Sequence, residues 1–315
     1  MNARVGVVVP AHDAARFLDA TLESIRRQTM RDWACVVVDD GSTDATLAIA
    51  QCFAGRDARF TVLTQDQTGP CVARNRGLEL LVDHVEYVTF MDADDLWFPE
   101  TLAVLVAAAS ADPGAIGAHG LGDFVDERGE PLLPGTFAEL GRSRLGCRGG
   151  WPRPTDRLEP TRFEHVVTQS VLFPPGVMLA RASAYATVGP FDEAARYAED
   201  WDMLIRLCRV GHLAYVDDVV LQYRRHDANV GTSAAVPSAV AAVRTKAFYA
   251  PENTDEQRRT LRDAWRAAQV VVARDRLRTA RTQFDAGDRV VAMAQVGRVP
   301  FLAVRYLRGR PPRPR

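Results

Sequence analysis

Short runs of β-branched and apolar residues alternate along the chain with segments whose apolar residues recur at helical spacing. Val5 to Val9, closed by Pro10, and Ala34 to Val38, closed by Asp39, are continuous apolar runs of the kind buried on both faces of a sheet. Between them Phe17, Leu18, Thr21, Leu22 and Ile25 recur as one face of a helix. The pattern predicts a β-α-β unit. A helix follows from about Thr43, capped by Ser42 or Thr43 and carrying Leu47, Ile49, Ala50 and Phe53. Next come a strand over Phe60 to Leu63, a helix over Val72 to Leu81 and a strand over Val85 to Met91. Such alternation specifies an α/β fold: a Rossmann-like, mainly parallel sheet flanked by helices, with its ligand site outside the carboxyl ends of the strands.

A helix is expected over Pro99 to Ala109 and a strand around Ala115 to Gly120. Residues 121–175 change character: glycine, proline and arginine are frequent, and Trp151-Pro152-Arg153-Pro154 interrupts periodicity. Long irregular segments in compact domains tend to be binding loops, so this one is assigned to acceptor binding. Regular structure resumes with Gly176 to Ala180, a helix from Asp200 to Val210, and strands near Leu213 to Val216 and Val219 to Tyr223. From there the pattern is helical. The expected division is therefore a catalytic domain over 1–226 and a helical extension over 227–315 ending in a basic tail.

Bulk properties narrow the chemistry. The chain has 315 residues, 25% of them charged, with a formal net charge of -1, which gives no reason to expect nucleic acid as a partner. Five scattered cysteines lack a C-x-x-C pair for zinc or redox work. Lys246 is the only lysine; it lacks the glycines of a phosphate-binding P-loop, and Schiff-base chemistry would have to rest on it alone. No apolar stretch approaches the roughly 20 residues needed to cross a bilayer, and the amino terminus does not resemble a signal peptide. A cytoplasmic protein is expected. Arg298 to Arg315 holds six arginines and no acid, interleaved with Phe301, Leu302, Val304, Tyr306 and Leu307. That tail suits either peripheral contact with an anionic membrane, at the inner face, or a last helix packed on the domain with a frayed end.

Three acid clusters stand at element ends: Asp39-Asp40-Gly41-Ser42-Thr43-Asp44, Asp92-Ala93-Asp94-Asp95 and Glu199-Asp200-Trp201-Asp202. Asp92 and Asp94 would share one face of an extended strand end and suit a hard divalent cation, Mg²⁺ or Mn²⁺, that neutralises a departing diphosphate. Arg74 and Asn75, at a helix start after Gly69, would meet ribose or phosphate, or form a surface pair. Asp44 reads as an acid favoured by the dipole of its helix. The Glu199-Asp200 pair, with Asp200 held at a helix start by the packing of Trp201 and Leu204, offers either a general base or an ordinary helix cap.

The ordered set V-V-V-P-A-H-D, V-V-D-D-G-S-T-D, G-P-C-V-A-R-N-R-G, F-M-D-A-D-D, V-G-P-F-D-E and A-E-D-W-D-M resembles family 2 glycosyltransferases over about residues 4–226. The resemblance implies a GT-A fold and inverting transfer from a nucleotide-diphosphate sugar, a UDP-sugar being favoured, to a carbohydrate, glycolipid or natural-product acceptor, as in polysaccharide biosynthesis. It further implies that Asp94 ligates the metal with Asp92 beside it, that Asp92 and Ala93 contact ribose, that Asp40 accepts from the uracil ring, and that Asp200 is the base. Pro10, Ala11, His12 and Asp13 would form the other wall of the nucleotide pocket, His12 replacing the family's frequent tyrosine. Tyr223-Arg224-Arg225-His226 resembles the segment closing the family's catalytic domain, with an arginine facing phosphate and His226 near the metal, or else a solvated turn. Three rivals are a nucleotidyltransferase making sugar nucleotides, whose glycine-rich first loop with a basic residue is missing after Val9, a nucleotide-sugar-binding scaffold without transfer activity, and a metal-dependent phosphohydrolase using Asp92 as nucleophile. The phosphohydrolase signature wants Thr or Val where this chain has Leu96.

Overall fold

The computed structural model describes residues 3–132, 136–156, 158–169, 175–195, 197–227, 229, 235–286 and 288–311. Strands β1 (Val5–Ala11) and β2 (Trp33–Asp40) are the two apolar runs, almost wholly buried and paired in parallel, Val5 opposite Trp33 and Ala11 opposite Asp39. β3 (Phe60–Gln65) extends the sheet beyond β2, and β4 (Tyr87–Phe90) pairs in parallel on the other side of β1. Helix α1 (Leu18–Arg26) buries Leu18, Thr21, Leu22 and Ile25, the predicted stripe. α2 (Thr46–Arg56) and α3 (Pro70–Leu81) complete this half. A methyl group on Gly77 of α3 would sit 2.4 Å from Val8 Cγ1, so glycine at this position lets the helix lie against β1.

The sheet continues through β9 (Met178–Arg181), antiparallel to both β4 and β6 (Ala115–Val125), and then through β10 (His212–Arg224), parallel to β6. A two-residue strand, β5 (Leu96–Trp97), lies antiparallel at the β10 edge. The order is β3-β2-β1-β4-β9-β6-β10-β5. α4 (Thr101–Ala111), α7 (Ala182–Val188) and α8 (Glu199–Val210) supply further helices, and the regular structure expected over Gly176 to Ala180 is a 3-10 turn (Pro175–Val177) leading into β9. The two strands expected over 213–223 are one, β10, whose register against β6 shifts between Tyr215 and Val219. That interruption is what divides its apolar pattern in two.

The segment 121–175 is more regular than its composition suggests. Among the described residues it holds the end of β6, α5 (Thr136–Arg142), a hairpin of β7 (Leu145–Arg148) and β8 (Trp151–Pro154), and α6 (Phe163–Thr168). Gly149 and Gly150 both take positive φ, 57° and 80°, as a two-residue hairpin turn requires. A two-stranded hairpin has only edges, so Pro152 and Pro154 are tolerated within it.

Beyond β10, α9 (Val236–Tyr249), α10 (Asp255–Asp285), α11 (Arg289–Gly297) and α12 (Val299–Arg308) form the helical extension. α10 begins with a Thr254/Gln257 capping box and packs on α6 and the hairpin. Val243, Ala247, Leu261, Ala264 and Ala267 join the same buried core as the sheet. Lys246 reaches back from α9 to Asp192 at 2.7 Å and Asp202 at 3.1 Å, so the chain's single lysine is an anchor between the extension and the catalytic half.

Candidate active site

Asp92 to Asp95 follow β4, Asp39-Asp40 end β2 and Pro10-Ala11 end β1, so three adjacent parallel strands deliver their carboxyl ends to one edge. The chain after Phe90 is a turn, closed by the Asp95 amide on the Asp92 carbonyl (3.3 Å). The extended strand end expected at Asp92 and Asp94 is therefore absent, and the two acids are held by different partners. The turn ends in the edge strand β5, too short to leave a period in the sequence.

Arg74 is the hub. Its guanidinium donates to Asp92 Oδ1 (2.9 Å) and to Glu199 Oε1 (2.7 Å), 18 and 125 positions away in sequence, and so joins the β4 turn to the start of α8. The side chain is 6% exposed and packs on the Phe191 ring. Burial alone would lower its pKa, but the two carboxylates reverse this and raise it. Arg74 thus sits within the predicted site, with its charge directed at protein acids. Its neighbour Asn75 makes a different contact: it donates to the Phe191 carbonyl and accepts from the Phe191 amide, fixing the V-G-P-F-D-E turn instead of facing a ligand.

Asp200 stands in the first turn of α8, beside Glu199, after Ala198 in a left-handed conformation (φ 59°). One of its oxygens accepts from the Trp201 amide at 2.7 Å, and the Trp201 indole donates to the Val166 carbonyl, locking the helix start. Asp200 borders an apolar pocket lined by Phe90, Tyr185, Phe191, Met203 and Leu204. Burial against these groups, reinforced by the Glu199 charge and opposed by Arg74, pushes its pKa up to about 7. A carboxylate poised there can take a proton at neutral pH.

Asp94 is a quarter exposed. Its Oδ2 lies 2.8 Å from His226 Nε2, and its backbone carbonyl accepts from Arg224 Nε. His226 stacks on Phe17 with centroids 4.7 Å apart. Tyr223 to His226 therefore do close over the acid turn. Arg224, however, is buried with donors on Asp94 O and Glu127 O, while Arg225 is exposed. Asp95 is fully buried: Oδ1 accepts from the Arg224 amide, Oδ2 has no partner, and burial with the charges of Asp94 and Asp92 raises its pKa well above the usual carboxylate range. Asp92 is also raised, by burial against the opposing pull of Arg74.

On the nucleotide side, Asp40 is buried and accepts from Gln65 Nε2 (2.7 Å), the Thr68 amide (2.8 Å) and the Gly69 amide (2.8 Å). It builds the loop between β3 and α3, a role its place in the motif did not reveal. His12 is exposed; Nδ1 lies 2.9 Å from the Asp40 carbonyl, which can only accept, so Nδ1 carries the proton and Nε2 takes the Gln67 amide. Asp13, at φ 45°, accepts from the Thr43 amide, which together with its other hydrogen bonds lowers its pKa. Asp44 accepts from the Thr46 and Ala15 amides, fastening the β1 loop to the start of α2. Pro10 and Ala11 thus pair with Val38 and Asp39 of β2, His12 meets Gln67 of the loop that Asp40 holds, and Asp13 meets Ser42 and Thr43. Gln65, Gln67 and Thr68 were not foreseen because no charge or period marks them.

Among the described residues one group of three metal-capable side chains converges, Glu159, Glu164 and His165, and it lies apart from this edge, under the β7–β8 hairpin. Arg153 reaches both carboxylates there, so a guanidinium already supplies the cation.

A buried arginine thus holds an acid turn against a helix that carries a desolvated carboxylate, at the carboxyl edge of a doubly covered α/β sheet. Residues 6–152 match the profile described as Glycosyl transferase family 2. A PGL/p-HBAD biosynthesis glycosyltransferase of Mycobacterium tuberculosis is 32% identical over 202 residues, 64% of this chain and 68% of that one. Two solved structures share the fold at a TM-score of 0.61. S. aureus TarS 1-349 in complex with UDP-GlcNAc is 16% identical, with 98% of this chain and 92% of that one covered. The mannosyltransferase PcManGT from Pyrobaculum calidifontis, in complex with GDP-Man and Mn²⁺, is 20% identical, with 98% and 88% covered. The chain belongs to glycosyl transferase family 2. It is a glycosyltransferase of GT-A fold.

Proposed function

We propose that the protein transfers a sugar from a nucleotide-diphosphate sugar, a UDP-sugar in the first instance, to an acceptor hydroxyl with inversion at the anomeric carbon. The observation that carries this reading is the Arg74 bridge, which ties Glu199, and with it the adjacent Asp200, to the Asp92 turn. Asp200 takes the proton from the acceptor hydroxyl as that oxygen forms its bond to the anomeric carbon. The bond from that carbon to the diphosphate breaks, its electron pair leaving with the nucleoside diphosphate. Glu199 keeps the Asp200 pKa high, and Arg74 keeps Glu199 and Asp92 in place.

The residues present fit a divalent cation at Asp94, with Asp92 beside it: Asp94 offers hard oxygen donors, is part-exposed and, among the described residues, engages one carboxylate oxygen, with His226. Mn²⁺ or Mg²⁺ bound there would neutralise charge on the departing diphosphate. Ala93 lies buried between these acids, and Pro10 to Asp13 with Asp40 would form the base pocket. The hairpin segment within 121–175 is proposed to meet the acceptor, whether carbohydrate, glycolipid or natural product. The phosphohydrolase alternative is disfavoured because Asp92 Oδ1 is bound to a buried arginine and the sole lysine is paired with Asp192 and Asp202.

Inversion is directly measurable. Proton NMR of the product formed from an α-linked nucleotide sugar should show only the β-anomer, with one nucleoside diphosphate released per bond made. A product retaining the α-configuration would rule out single displacement through Asp200.

A further inference from the structure

From Arg289 to Arg315 the chain has no acidic residue. In the described part, Arg289, Arg298, Arg305, Arg308 and Arg310 are all exposed, and among the described residues none of them forms an ion pair. Elsewhere on the surface the pattern is mixed: Arg26 and Arg27 share Glu23, Arg258 meets Asp255 and Arg278 meets Asp275, whereas Arg262, Arg274 and Arg281 of α10 are exposed without an ion pair among the described residues but have acidic residues in their own helix. Interleaved with the free charges are large apolar side chains left in solvent: Met293 at 75% exposure, Phe301 at 72%, Val304 at 50% and Leu307 at 76%. α12 is not a frayed end. Leu302 is buried, the helix packs on α10, and Tyr249 donates to the Pro311 carbonyl at 2.7 Å. Fixing that inner side turns Phe301, Val304, Arg305, Leu307 and Arg308 outward together. Trp151, at the tip of the β7–β8 hairpin and more than half exposed, stands beside this helix, its ring 6.1 Å from that of Tyr306.

We infer that α11, α12 and the Trp151 tip form a docking surface for an anionic lipid membrane. Arginine and apolar side chains on one outward face suit headgroups and acyl chains at once, since the long arginine stem lets the charge reach phosphate while its neighbours enter the hydrocarbon boundary. Tryptophan favours the same depth. A second copy of the chain is a poor occupant, because a symmetric contact would set the arginines of this acid-free face against one another. Peripheral contact is the only mode open to the described helices, none of which is long and apolar enough to span a bilayer. Docking would bring the 145–154 hairpin to the lipid surface. That consequence rests on the acceptor assignment above, whereas the docking itself does not.

The test is co-sedimentation of the full chain with extruded vesicles of phosphatidylcholine alone or with 30% phosphatidylglycerol (~30 mol%, enough to give a strongly anionic surface). The wild type should partition onto the anionic vesicles only, and high salt should release it. Reversing two charges (Arg305→Glu with Arg308→Glu) should lower partitioning at least about 25-fold, at about fivefold per arginine near the headgroups. Phe301→Ser with Leu307→Ser should lower it about tenfold or more. All four side chains are exposed, so both variants should keep the wild-type melting temperature and circular dichroism. Equal partitioning onto both vesicle types, or variants that bind as the wild type does, would overturn the inference. So would self-association without lipid that the Phe301/Leu307 variant abolishes, which would make the occupant a second copy, or binding to RNA in preference to vesicles.

Discussion

Replacing Asp200 by Asn is expected to abolish sugar transfer while making the protein more stable at alkaline pH. The first half follows from its role, since removal of a positioned general base typically costs about 10² to 10⁴ in rate. The second follows from its environment. Burial and Glu199 raise its pKa from 3.8 to about 7. A carboxyl group whose pKa is higher folded than unfolded stabilises the fold below its unfolded pKa, and that contribution is lost as pH rises from about 4 through about 7. The charged form at pH 8 is therefore held at the expense of the fold. A shift of this size corresponds to roughly 4 kcal/mol if fully expressed, but the side chain is only part-buried, and solvent screening leaves on the order of 1–2 kcal/mol. Denaturant melts of Asp200→Asn should thus exceed wild type at pH 8 and converge with it near pH 4, with donor binding unchanged. The pH dependence of turnover in the wild type should show a rising limb near pH 7, displaced to lower pH in Glu199→Gln, which removes the neighbouring charge. A variant that keeps turnover, or a limb unmoved by Glu199→Gln, would remove Asp200 from the chemistry.

Arg74→Met has the largest effect expected on the fold near the site. The guanidinium is 6% exposed and bonded to two acids, so its loss leaves Asp92 and Glu199 facing one another without compensation. Removing one partner of a buried ionic network costs about 3–5 kcal/mol, and the lower end applies here because Asp92 retains some access to water. Because Arg74 also lowers the Asp200 pKa, the residual activity should shift its rising limb to higher pH, opposite to Glu199→Gln. Packing damage alone would lower stability without moving that limb. Equilibrium unfolding and a pH profile on the same variant separate the two outcomes.

The first half of the fold was legible because its strands are buried on both faces and its helices carry clean stripes: Val5 to Val9 and Ala34 to Val38 are read correctly from composition alone. The acids at the strand ends were legible for the same reason, since a rigid strand fixes where Asp40 and Asp92 emerge. What the sequence concealed is long-range. Nothing local says that Arg74 faces inward, because an arginine on a helix is usually solvated and its two partners lie 18 and 125 positions away. The hairpin at 145–154 was hidden by its prolines, which argue against strands except at edges. Asp92 and Asp94 were expected to share a face by alternation, and the turn after Phe90 removes that alternation. Asp40 looked like a ligand contact only, whereas its carboxylate also organises residues 65–69.

The central claim, a nucleotide-sugar site built on Asp94 at the edge of this sheet, is tested most directly by thermal unfolding with UDP-, GDP- and dTDP-sugars, with and without Mn²⁺, on wild type and Asp94→Ala. Binding at a hundredfold excess over the dissociation constant adds about 2.7 kcal/mol to apparent stability. The predicted result is an upward shift of several degrees with one nucleotide class, greatest with UDP, dependent on Mn²⁺ and lost in Asp94→Ala. No shift with any nucleotide sugar, or an equal shift in Asp94→Ala, would contradict it.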